Sequence, residues 1–266
     1  MECCQKKLLK MNGKKLLYFF TLTLLIASCH KPTGTMQLDF SFAVDGQPLQ
    51  QDTCIYLNAA GNQYSVTEAQ YFISDVILTR NDGLQVSLLS DRGAHYVDAD
   101  IASSLTWSPT DEIPIGEYKS ISFVFGLSPE LNKSYFYTNA PENAMSWPAN
   151  LGGGYHYMKI NGWWMNENGT RTPFNLHSGR GQMRDEEGNI TGFIDNNFSV
   201  TLPLSDFAII KDNESKIQLQ MDINRWFSNP YIFDFNTFGG SIMQNQEAQE
   251  ILKSNGLDVF SVVRHS

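Results

Sequence analysis

Short runs of alternating apolar and polar residues, broken by Gly, Pro, Asn and Asp, recur along almost the whole chain. From Met36 the segment MQLDFSFAVDGQPLQ puts Leu38, Phe40, Phe42 and Val44 on one side of an extended backbone and stops at Asp45-Gly46, the signature of a strand and a turn. CIYLNAAGNQYSVTEAQYFISDVILT reads as two or three strands around Gly61-Asn62. LQVSLLS follows an Asn-Asp-Gly turn at 81–83, and AHYVDAD comes next. GEYKSISFVFGL, GYHYMKINGWWM, TPFNLHSG, NFSVTLPL and SKIQLQMDINRWF share this β-branched and aromatic character. Many short strands at regular spacing predict an antiparallel sandwich or barrel. One stretch differs: Gly239 to Gly256 spaces Ile242, Met243, Ala248, Ile251 and Leu252 near the helical period, with Ser241 as N-cap, and predicts a single helix before a final extended LDVFSVV.

The N-terminus changes the picture of where this body works. Lys6, Lys7, Lys10, Lys14 and Lys15 precede the apolar run Leu16 to Ala27, which closes on Ser28-Cys29. A basic flank, an apolar run too short for a permanent bilayer span and small residues before a cysteine predict a cleaved lipoprotein signal over 1–28. Cys29 becomes the lipidated first residue, 29–35 a linker, and 36–266 one β domain of the cell envelope, held by lipid to the outer membrane. Cys3 and Cys4 leave with the signal, so Cys54 is the remaining thiol, no internal disulfide can form, and Cys54 in TCIYLN reads as a small buried hydrophobe. The formal net charge is −9; without the signal's five lysines and one glutamate it is −13. Such a body repels phosphate backbones, which argues against nucleic acid as a partner.

Candidate chemistry is sparse. The sequence has no phosphate-binding glycine loop, CxxC pair, HExxH or GxSxG elbow. The acidic pairs Asp98 with Asp100, Asp111 with Glu112 and Glu186 with Glu187 sit among turn residues and read as a solvated face. Met145 to Trp164 is more informative: it holds three tryptophans, two methionines and His156. If YHYMKI is a strand, His156 and Met158 share a face. His177 follows some twenty residues later, before Ser178-Gly179. Imidazole with thioether suits copper, above all the soft cuprous ion, while a satisfied core histidine beside core Met and Trp explains the same residues. His95 in AHYVDAD reads as structural, and His265 as an exposed residue of a frayed terminus.

From Met36 to the C-terminus the chain resembles the MbnP-like family, exported proteins related to the periplasmic partner encoded with methanobactin copper-handling systems. The resemblance rests on LDFSFAVDGQPL, AQYFISDVILTRNDG, IPIGEYKSISFVFGLSPELN, Met145 and Trp147 ahead of GGGYHYMKINGWW, His177-x-Gly179, and the closing Met243, Asn255 and Asp258 to Phe260, in that order. It implies an all-β, Greek-key-like antiparallel sandwich with one C-terminal helix, and a copper-binding protein that is not an enzyme. The implied ligands are His156 and His177, with Met145 or Met158 as a weaker sulfur contact. The implied partner is a di-haem cytochrome c peroxidase-like protein that oxidises a tryptophan to kynurenine. Trp147 matches the family's Met-x-Trp position; where the family commonly carries a second Trp two residues on, this chain has Ala149 after Pro148. Trp163 and Trp164 read as core or rim aromatics. Two other classes stay open: a glycan- or peptide-binding surface lipoprotein, for which exposed aromatics on an anchored sandwich are natural, and a hydrolase with its acid pair among the acidic loops.

Overall fold

Alternation becomes pleat along most of the chain. A computed structural model describes residues 32–265; the signal segment, Cys29 and His30 lie outside the described residues. The main strands are β1 (Thr33–Val44), β2 (Gln63–Arg80), β3 (Ala94–Asp98), β4 (Gly116–Phe125), β5 (Met158–Met165), β6 (Arg171–Ser178), β7 (Gly181–Arg184), β8 (Ile190–Ile194), β9 (Phe198–Ile209), β10 (Glu214–Asp222) and β11 (Phe260–His265). Shorter two- and three-residue strands flank them. One sheet runs β6-β5-β2-β4-β9, with β3 also on β2, and the other runs β11-β10-β1. β7 and β8 form a separate hairpin.

The two sheets make a β-sandwich because each strand has one apolar face to bury. Met36, Leu38, Phe40 and Phe42 of β1, Ile217, Leu219 and Met221 of β10, Tyr71 and Ile73 of β2, and Ile121, Phe123 and Phe125 of β4 are all buried. Rings meet across the gap: Phe42 of one sheet stands edge-on to Tyr71 of the other at 5.6 Å, and Phe123 to Phe260 at 5.3 Å. Burying each such ring contributes about 1.5–3 kcal/mol. Asp45 and Gly46 both take positive φ, 52° and 75°, as the tight turn after β1 demands.

The fold departs from the sequence reading at six points. β1 pairs with β10 in parallel, Thr35 against Glu214 through Ala43 against Asp222, so the sheets are mainly rather than wholly antiparallel. Cys54 is exposed, not buried, because only Tyr56 and Leu57 of its segment join the sheet. The helix is shorter than Gly239 to Gly256. A four-residue turn of helix, α1 (Phe235–Phe238), ends at Gly239, and α2 (Gln246–Asn255) begins at an Asn245 cap whose side chain accepts the Ala248 N–H. That cap displaces Ser241, which bridges to Asn175 instead. Asp98 is buried rather than solvated and accepts the Tyr96 hydroxyl at 2.6 Å. The terminus is not frayed at His265, whose backbone pairs with Ile217 in β11. The β7–β8 hairpin carried no predicted strand.

Candidate metal site

The site is built where β5 begins. Gly152, Gly153 and Gly154 take positive φ of 113°, 62° and 85°, and a Cβ on any of them would strike Arg180 and Phe193, Ser134 or Asn132. This run folds the chain back on itself: the Trp147 N–H donates to the Gly154 carbonyl at 2.8 Å and the His156 N–H to the Met145 carbonyl at 2.7 Å. His156 therefore precedes the strand instead of lying in it. Its imidazole meets that of His177, on β6, with ring centroids 4.9 Å apart and planes at 89°.

Each ring is held by one nitrogen and presents the other. His156 Nδ1 sits 2.9 Å from the Met145 carbonyl, which can only accept, so Nδ1 carries the proton and Nε2 the lone pair. Nε2 is buried with no hydrogen-bond partner. His177 Nε2 sits 2.9 Å from Asn161 Oδ1. The amide orientation is fixed because Asn161 Nδ2 donates to Glu68 at 2.7 Å, so His177 Nε2 is the donor and Nδ1 keeps its lone pair. A carbonyl or amide fixing the outer nitrogen is the usual device for aiming a ligating imidazole. Burial, opposed by the Met145 hydrogen bond and reinforced by His177 and Lys159, lowers the His156 pKa to about 3. Burial and then Lys159 lower His177 to about 4. Both rings are therefore neutral near pH 7, the ligating form.

Trp147 packs edge-on to His156 at 4.7 Å and is buried, its Nε1 donating to the Leu151 carbonyl at 3.0 Å. Gly179, two residues past His177, lies so close to this indole that a Cβ there would stand 2.6 Å from Cε3 and Cζ3. The sulfur candidates are placed differently. Met145 is buried beside the site and supplies its carbonyl to His156. Met158 pairs with Ser178 and Tyr71, whereas His177 pairs with Lys159, the next residue along β5. Strand alternation therefore sends Met158 into the core on the opposite face from His177, so the expected shared face of His156 and Met158 does not form. Trp164 is buried, and Trp163 lies under Arg171 at 4.5 Å. His95 stacks between Phe40 and Trp107 at 5.1 and 5.3 Å, far from any ligand role. Among the described residues no three His, Cys, Asp or Glu side chains gather as a metal cluster.

A family model described as MbnP matches residues 33–244. The chain belongs to the MbnP family. The match covers both histidines, Met145, Trp147 and Gly179. Among solved structures, MbnP from Methylosinus trichosporium is similar with a TM-score of 0.50 at 15% identity, over 75% of this chain and 79% of that one, which shows a shared fold. None of the curated proteins matches. In this MbnP family member two site residues escaped the sequence reading. Asn161 fixes His177, and the β5 alternation that puts it on the Lys159 face was the available signal. Gln249 of α2, fully buried, donates to the His177 and Ile242 carbonyls at 2.8 and 3.1 Å; nothing in a polar residue of an amphipathic helix announces that. A cleft of about 720 Å³ opens elsewhere, beside Asp45, Asp222 and Asp258. Its acids are engaged internally: Asp222 accepts the Asp45 and Gly46 N–H groups, and Asp258 pairs with Arg225 at 2.6 Å. The buried imidazole nitrogen without a partner is at the histidine pair.

Proposed function

We propose that the protein binds copper through His156 and His177, as a lipid-anchored protein of the cell envelope, and that Trp147 is oxidised by a di-haem peroxidase partner. The observation that carries the reading is the buried, unpartnered Nε2 of His156, on a ring whose centroid lies 4.9 Å from that of His177. A lone pair hidden from water without a donor is costly unless a ligand completes it. Two neutral imidazoles beside a buried indole, with no carboxylate hydrogen-bonded to either ring, favour a soft ion over calcium or magnesium. Met145 is the remaining candidate for a sulfur contact. Bound copper would supply a redox-active Lewis acid beside the Trp147 ring. The chain's own residues do the rest: Met145 and Asn161 orient the rings, and burial keeps protons off them.

Oxidation of Trp147 cleaves its indole C2–C3 bond. Two molecules of peroxide supply one oxygen to each carbon and leave as water, and hydrolysis then releases the formyl group as formate. The product aniline nitrogen and ketone are potential ligands where the indole had none.

Elemental analysis after loading with cuprous ion tests the site. The unaltered protein should retain copper through gel filtration, and a His156→Ala, His177→Ala double variant with an unchanged circular dichroism spectrum should not; equal copper in both removes the assignment. Mass spectrometry of protein co-expressed with a di-haem peroxidase tests the modification. The expected product is a peptide that has gained an oxygen and lost a carbon at Trp147, and an intact indole there counts against it.

A further inference from the structure

A second cavity, of about 310 Å³, lies beside β3 and is lined by Phe72, Tyr96 and Tyr137, by His95, and by the carboxylates of Asp91 and Glu142. Its aromatic lining is one packed cluster. Phe72 stacks on Tyr137 at 5.4 Å and meets Tyr96 at 5.4 Å. The Tyr137 hydroxyl is buried without a hydrogen-bond partner.

Neither carboxylate here is in an ion pair among the described residues. Glu142 is half-buried and makes no hydrogen bond or ion pair among the described residues, while Asp91 accepts only the Trp107 indole N–H, at 2.6 Å. The cations around the cavity are engaged by backbone carbonyls: the Arg92 guanidinium stands 5.0 Å over the Phe136 ring and donates to the Phe136 carbonyl at 2.6 Å, and Lys159 donates to the Ala144 carbonyl at 2.6 Å. Asp91, Arg92 and Gly93 take successive positive φ of 53°, 65° and 74°, two of them at non-glycine residues. This backbone is sterically unfavourable, and it holds Asp91 in the cavity lining while Arg92 packs on Phe136. Burial first, then Glu142, raises the Tyr137 pKa to about 12 against the opposing pull of Arg92, and Asp91 adds to the rise. An anion is excluded by these charges. A coordinated metal is disfavoured, because His95 spends Nε2 on the Ser104 carbonyl at 2.8 Å and its ring is stacked on Phe40 and Trp107.

We propose that this cavity binds a small organic cation, with an alkylammonium or guanidinium head set among the aromatic side chains and its charge balanced by Glu142 and Asp91. Aromatic lining attracts such heads through the ring quadrupole, and partial enclosure strengthens both terms. The volume suits a head group with a short tail. This site is separate from the histidine pair and stands or falls independently of it.

Calorimetric titration of the purified protein tests the proposal with choline, with methylguanidinium, and with 3,3-dimethyl-1-butanol, the neutral carbon analogue of choline. At least one cation should bind saturably, and the neutral analogue should bind at least about tenfold more weakly than choline if choline is the ligand. Choline alone binding marks an ammonium site and methylguanidinium alone a guanidinium site. Glu142→Gln, a half-exposed and isosteric change, should weaken the bound cation by about tenfold with the melting temperature unchanged. No saturable binding by either cation, choline bound no more tightly than its neutral analogue where choline is the ligand, or unaltered affinity in Glu142→Gln overturns the proposal.

Discussion

Gly179 lacks a side chain where the Trp147 indole needs the room. Its conformation is not the reason, since the steric conflict is between an added Cβ and the ring, at 2.6 Å. The indole cannot easily yield: it is buried, tied through Nε1 to the Leu151 carbonyl and packed on His156. Gly179→Ala therefore overpacks the site, and such changes cost about 1–3 kcal/mol. The expected outcome is a lower melting temperature and an altered near-ultraviolet dichroism of tryptophan, with secondary structure intact. Unchanged values of both would mean that Trp147 is not held as described. The His-x-Gly spacing thus has a physical basis: His177 meets His156 on the face of the sheet that it shares with Lys159, and two residues later Gly179 lies against the indole.

At the level of elements, much of the sandwich was legible because burial wrote itself into the period. Leu38, Phe40 and Phe42, or Ile217, Leu219 and Met221, alternate so regularly that a strand with one buried face is the direct reading. Pairing was not legible. The parallel match of β1 with β10 joins residues almost the whole domain apart, and no local pattern states which strand a given edge meets. The β7–β8 hairpin failed for a different reason. Met183 and Phe193 are about half exposed, so its apolar residues do not alternate against a core. Ile242 and Met243 looked helical by spacing, but Gly239, at φ 73°, ends α1 and the Asn245 side chain starts α2 later. The candidate site was legible in its membership more than in its geometry. His156, His177 and Trp147 do come together, yet the face shared by His156 and Met158 dissolved, because three left-handed glycines turn the chain before β5 begins. Helical and extended periods alone cannot register such a turn.

Across the whole molecule, His95 is a joint between the two sheets. It lies on β3 of one sheet, its ring stacks on Phe40 of β1 in the other, and Trp107 closes the opposite face. Nε2 donates to the Ser104 carbonyl. Burial lowers the pKa of this imidazole below its ordinary 6.5 despite the Ser104 hydrogen bond and the Asp91 carboxylate, both of which act to raise it. The sign of the consequence follows from linkage. An unfolded chain takes up a proton at this histidine near pH 6.5, where the folded chain still refuses it, so the contribution to stability is complete above that pH and is lost as the pH falls through the folded value. Within that window the slope from one such group is at most about 1.4 kcal/mol per pH unit. His156 and His177 titrate in the same sense, so the wild-type slope alone does not isolate His95. The informative measurement is urea unfolding of copper-free protein between pH 7.5 and 4.5, for the wild type and for His95→Gln. The variant should be less stable at pH 7.5, having lost the ring stack between the sheets, and should lose less further stability on acidification. Parallel stability curves for the two proteins would show that His95 takes up its proton equally in the folded and unfolded chain, and the sandwiched neutral imidazole would have to be given up as the joint.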